Sequence, residues 1–112
     1  MQAQDEGLSE QEFEREADRT LRALERAIDA LDGLEADLQS GILTVEFPDG
    51  VKYVVNSHRA ARQIWMAAER SAWHFDYAKG EGRWVAGKSR EALLPTLEGV
   101  LSRKLGRAVT LG

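Results

Sequence analysis

Apolar residues recur at steps of three or four through Phe13, Ala17, Leu21, Leu24, Ile28 and Leu31. That is the period of a helix with one buried face. Ser9 precedes Glu12 by three positions, the spacing of a capping box, and Gly33 is a stop signal. The pattern predicts one helix from Glu10 to about Asp32. It then changes to alternation. Leu43, Val45 and Phe47 fall on one side of an extended run, with Ile42, Thr44 and Glu46 on the other. Pro48-Asp49-Gly50 is a turn signal, so GILTVEFPDGVKYVVN predicts a hairpin whose second strand turns Val51, Tyr53 and Val55 to the core. Short strands are expected at Gln63–Ala67, Trp73–Tyr77 and Arg83–Ala86, with KGEG at 79–82 as a turn.

A second helical period opens at Ser89 and runs through Leu93, Leu94, Leu97, Val100, Leu101 and Leu105, with Gly106 as its stop. Pro95 sits awkwardly in it: either it kinks the helix, or the regular helix begins nearer to Pro95. Val109 and Leu111 of the tail can pack. A helix, five or so consecutive strands and a helix predict an α+β fold. It is a two-layer sandwich with both helices on one face of an antiparallel sheet, whose other face meets water.

Composition narrows the picture without changing it. The 112 residues suffice for a single domain over 1–112, with residues 1–8 read as a flexible tail. There is no cysteine, which excludes disulfides, thiolate metal sites and a thiol nucleophile. No apolar run is long enough to span a membrane. The opening MQAQDEG is unlike a signal or transit peptide, so the cytoplasm is the expected location.

Charge changes the picture more. Residues 1–46 carry a net −9 and residues 47–112 a net +5. An acidic first half argues against nucleic acid and for cations or a basic protein surface. On a helical wheel Glu14, Asp18, Glu25, Asp29 and Asp32 form one stripe beside the apolar seam. Arg15, Arg19, Arg22 and Arg26 form a second stripe that can pair with its N-terminal half. From Ala27 to Val51 there are six carboxylates and no Lys, Arg or His.

Asp29 and Asp32 fall in the last turn, where the helix dipole makes an acid cost roughly 0.3–1 kcal/mol. Glu35 and Asp37 extend the cluster into the following loop. A repulsive arrangement at a surface points to use, and an all-oxygen set suits a hard cation held weakly at an open surface. A merely solubilising surface is the alternative.

His58, read in a loop, and His74, read on a strand, are too far apart in sequence to suggest a paired metal site. No nucleophile elbow or phosphate loop is present, and no catalytic residue is assigned. If Ile64 and Met66 face the helices, Trp65 projects from the open face of the sheet. There it is either half-covered by neighbouring side chains or a partner anchor, for which Asn56, Arg62, Gln63 and Arg70 can form the polar rim. Trp73 and Trp84 are expected to be packed.

The acidic helix ending in DALDG, the ordered set GILTVEFPDGVKYVVN and RQIWMA, and then WHFDY and RWV resemble the frataxin family, and in particular bacterial frataxins, over Glu12 to about Leu105. The resemblance implies an iron-binding accessory protein of iron–sulfur cluster assembly that contacts the cysteine desulfurase and the scaffold protein and modulates cluster formation. It places the metal ridge on Glu25, Asp29, Asp32, Glu35 and Asp37, and the partner contacts on Asn56, Gln63 and Trp65. It also implies a monomer open to iron-induced oligomerisation. Two other readings remain: a ferroxidase or iron-storage activity, and an acidic interaction module with no metal role.

Overall fold

The structure is a computed structural model that describes residues 8–87 and 89–112; of the expected tail at 1–8, residues 1–7 lie outside the described residues. The first helix, α1, covers Glu10–Asp29. The Ser9 hydroxyl accepts the Glu12 N–H, and the Glu12 carboxylate accepts the Ser9 N–H, so the capping box is complete. Leu8, just outside it, packs on the core to which Phe13 belongs, as a hydrophobic staple does. The helix stops at Asp29, a turn earlier than its apolar period suggests. Ala30 caps it, and Leu31 is only half-buried.

The sheet has six strands in chain order, every neighbouring pair antiparallel: β1 (Glu35–Gln39), β2 (Ile42–Glu46), β3 (Lys52–His58), β4 (Gln63–Ala68), β5 (Ser71–Ala78) and β6 (Arg83–Ala86). Strand β1 corrects the sequence reading, which placed Glu35 and Asp37 in a loop. The signal for it was weak: EADLQ alternates, but only Ala36 and Leu38 face inward, and both stay half-buried. The turn that makes it a strand is Ser40-Gly41, where φ is 52° and 78°. Two consecutive positive φ angles form the tight hairpin turn whose twist matches the strands.

The remaining strands alternate as expected, with Leu43, Val45, Tyr53, Val55, Ile64, Met66 and Phe75 fully buried. Val51 is the exception. It precedes β3 and is 39% exposed, because the turn at 48–50 holds it clear of the core. His58 closes β3 instead of lying in a loop.

The second helix, α2, covers Leu93–Leu105 and ends on Gly106 at φ 71°. Pro95 therefore sits in the first turn, where backbone N–H groups have no helical partner to lose. The helix begins near the proline and needs no kink. Leu97, Val100 and Leu101 bury against the sheet beside Phe13, Leu21 and Ile28 of α1, and Val109 of the tail is also buried. Both helices cover one face of the sheet, so the chain is the α+β two-layer sandwich expected. Among the described residues no helix is long and apolar enough to cross a membrane.

Candidate functional site

Two surfaces hold the residues singled out in the sequence. The first is the border where α1 runs beside the edge strand β1. Asp29 Oδ1 accepts the Ala36 N–H at 3.0 Å, and Glu25 Oε2 accepts the Leu38 N–H at 3.3 Å. The match is geometric. Four residues of helix advance about 6 Å, close to the roughly 6.6 Å between alternate residues of a strand. Two carboxylates at i and i+4 thus reach two N–H groups at i and i+2 that the edge strand would otherwise leave bare. Each carboxylate keeps one oxygen for another ligand.

The other ridge residues lie elsewhere on the same border. Asp32 is exposed in the turn after α1, and the Arg107 guanidinium donates to its backbone carbonyl at 3.2 Å, not to its carboxylate. Glu35 and Asp37 are exposed on β1. Glu35 stands in register with Glu46, which in turn opposes Lys52 on β3. Two acids directly opposite one another repel across the strands.

Among the described residues, none of Glu25, Asp29, Asp32, Glu35 and Asp37 forms an ion pair with Lys, Arg or His. The ion pairs fall on other acids, including Asp18 with Arg22, Glu16 with Arg19, and Glu10 and Glu14 with Arg59. Asp49, sixth in the uncompensated run, is a correction. The Lys104 ammonium pairs with it and, by donating to its carboxylate, holds its pKa below the usual carboxylate value.

No three Asp, Glu or His side chains among the described residues come close enough together to chelate an ion. What the border offers a cation is unpaired carboxylates spread over the end of α1, the turn after it and the outer face of β1. A hard ion there would keep much of its water.

The second surface is the open face of the sheet. Asn56, Trp65 and His74 stand in one row across β3, β4 and β5, while His58, Gln63 and Asp76 form the next. Trp65 is half-buried. Its indole lies between two imidazoles: the His58 ring is 3.9 Å away at 16°, and the His74 ring is 4.2 Å away at 12°. Its Nε1–H donates to Gln63 Oε1 at 2.8 Å, and Gln63 Nε2 donates to Asp76 Oδ1 at 3.0 Å. Asn56 Nδ2 donates to the Ser57 carbonyl at 3.3 Å. Ile42, next to Asn56 in the row, is 47% exposed.

Arg62 leaves this group. At φ 53° in the turn after β3, it sends its guanidinium to the Leu8 carbonyl at the head of α1. The two histidines, which gave no metal signal, are thus the nearest neighbours of Trp65. Only strand register could have found them, since sixteen residues separate them in sequence. Trp84 is buried, as expected, and donates to Thr20 Oγ1, while Trp73 is half-buried and donates to Glu91.

Comparison with known proteins gives three concordant results. The family model of the frataxin-like domain matches residues 6–107. The chain is 39% identical over 102 residues to the iron-sulfur cluster assembly protein CyaY of Thioalkalivibrio sulfidiphilus, covering 88% of this chain and 95% of that one. It is 37% identical to CyaY of Pseudomonas putida, over 88% and 91% of the two chains. In backbone shape it is similar to the frataxin of Psychromonas ingrahamii, with a TM-score of 0.84 at 24% identity over 94% and 99% of the two chains. It is also similar to a trimeric frataxin from the yeast Saccharomyces cerevisiae complexed with ferrous iron, with a TM-score of 0.64 at 24% identity over 90% and 89%. At those identities the two structures speak for the fold alone.

Proposed function

The chain belongs to the frataxin family, and from that premise we propose that it serves iron–sulfur cluster assembly in the cytoplasm as an iron-binding accessory protein. In this reading iron is cargo, drawn to Glu25, Asp29, Asp32, Glu35 and Asp37. The same border, together with the sheet face around Asn56, Gln63 and Trp65, engages the cysteine desulfurase and the scaffold protein and so modulates the rate of cluster formation.

The observation that carries the reading is the set of carboxylates with no cationic partner among the described residues, two of which, Glu25 and Asp29, sit toward the C-terminal end of α1, where its dipole already makes negative charge unfavourable. Arg26 shares the last turn but, among the described residues, pairs with none of these carboxylates. The geometry supports weak, exchangeable binding, because Glu25 and Asp29 each have one oxygen occupied by the β1 backbone. It suits handing an ion on better than storing it. Iron and a basic partner surface would compete for the border, since both draw on the same charges.

Residue-resolved NMR of labelled protein, titrated in turn with ferrous iron, calcium and the cysteine desulfurase, tests the proposal. Iron should move the signals from Glu25 to Asp37 first, and the desulfurase should move these and Trp65. Indifference to every cation, with the desulfurase still bound, would leave only an acidic interaction module. Oxygen consumption above the protein-free rate on adding ferrous iron would favour a ferroxidase.

A further inference from the structure

Trp65 is held on three sides, and the two rings that hold it, His58 and His74, have no part in the proposed function. His58 covers one face of the indole, His74 covers the other, and the Gln63–Asp76 pair holds its N–H. His58 is itself anchored: its Nδ1 accepts the Ala61 N–H at 3.3 Å, which holds the imidazole plane. His74 is directly opposite Trp65 in the β4–β5 register, and Asp76 follows two residues later on the same face.

The charges near the stack are arranged to leave it undisturbed. Arg59 and Arg62 share the turn with His58, but Arg59 turns to Glu10 and Glu14 and Arg62 turns to the Leu8 carbonyl, both on the helix side. Asp76 stays on the open face and is reached through Gln63. Stacked aromatic rings at these separations attract one another beyond the area they bury. A large side chain already fixed in its bound rotamer also avoids the entropy of being ordered when a partner arrives.

We infer that His58 and His74 are positioning residues of the interaction site, a two-sided clamp that presets the Trp65 indole and leaves its edge, not its faces, for the partner. The inference rests on the proposed use of Trp65 as a partner anchor. It also fixes a feature of that partner. Neither an arginine nor an aromatic ring can stack on Trp65 while the clamp is closed, so the complementary surface must meet the indole edge and the flat row of Asn56 and Ile42.

The test compares His58→Ala, His74→Ala and the double variant with Trp65→Ala and with the flat-ring variants His58→Phe and His74→Phe. It uses the full chain and two readouts. In NMR spectra the Trp65 Nε1–H signal should be single and sharp in the wild type. It should broaden or shift in the double alanine variant and recover when phenylalanine restores the stacking, a rescue that a role in folding alone would not produce.

Affinity for the cysteine desulfurase should fall about 3- to 10-fold in the double alanine variant and about 30-fold or more in Trp65→Ala. An unchanged indole signal in the double alanine variant would overturn the clamp. So would wild-type affinity in that variant while Trp65→Ala binds poorly. Wild-type affinity in Trp65→Ala itself would instead refute the use of Trp65 as an anchor.

Discussion

Asp29→Asn and Asp29→Ala remove the same charge, but only asparagine keeps an oxygen where Asp29 Oδ1 accepts the Ala36 N–H. Three effects set the outcome. Removing the charge from the last turn of α1 returns about 0.3–1 kcal/mol in both variants. Losing the acceptor, in alanine alone, costs about 0.5–1.5 kcal/mol. Alanine's better helix propensity recovers a few tenths of that at a helix end. The two variants should therefore differ by about 0.5–1 kcal/mol in favour of asparagine, or about 2–4 °C in Tm for a chain of this size.

Thermal unfolding measures the difference, and amide hydrogen exchange localises it. Exchange at Ala36 should quicken in Asp29→Ala and stay near wild type in Asp29→Asn. Iron-induced NMR shifts at the border should weaken in both. Equal stability of the two variants, or an Ala36 amide that exchanges alike in all three proteins, would show that the bond to β1 carries no weight in solution. The pairing of an acidic helix with an edge strand would then be incidental.

Three further outcomes are expected. Burial, reinforced by the 2.6 Å bond to Glu69, pushes the Tyr53 hydroxyl up to about 12. Because the folded value exceeds the unfolded one near 10, the contribution is complete below pH 10 and is lost as pH rises from 10 to 12. The stability advantage of wild type over Tyr53→Phe should narrow within that window by at most about 1.4 kcal/mol per pH unit, with screening at the exposed Glu69 shortening the window from its upper end; a constant gap in chemical denaturation would refute it. At Gly41 a Cβ would lie 2.5 Å from Ser57 Oγ with φ at 78°, so Gly41→Ala should cost about 1–3 kcal/mol in denaturant unfolding, and Ser57→Ala should recover only the part due to crowding. Asp49, whose pKa the Lys104 pair depresses, adds stability that is present above its unfolded pKa and lost as pH falls through the folded one; Lys104→Met should move its NMR titration back toward the ordinary carboxylate value.

The elements legible in the sequence were those whose pattern reflects a buried face. The period of Phe13 to Ile28 gave α1, and the alternation of Leu43 to Val55 gave the central hairpin. Strand β1 was not legible, because its partners lie on one side only and its inner residues are small or half-buried. The Ser40-Gly41 dipeptide was the cue available. The end of α1 was set by the need to turn into β1, which outweighed the continuing apolar period at Leu31. For the candidate site, the sequence supplied the charges and Trp65 but not their neighbours. That Glu25 and Asp29 serve the β1 backbone, that Lys104 answers Asp49 and that two histidines enclose Trp65 are matters of register and tertiary approach, which residue spacing does not encode.

The two ends of the sheet are closed by unlike means. At β6 the chain folds back on itself: Val85 bridges Ala92, and the Ala86 N–H is taken by the Glu91 carbonyl, so backbone guards that rim. At β1 the guard is a pair of side chains, which mutation can remove. A variant without them would expose one adhesive ladder only. Two such molecules could join rim to rim in a closed, twofold pair and go no further, because the far end of each stays sealed; a fibre would require both ends open.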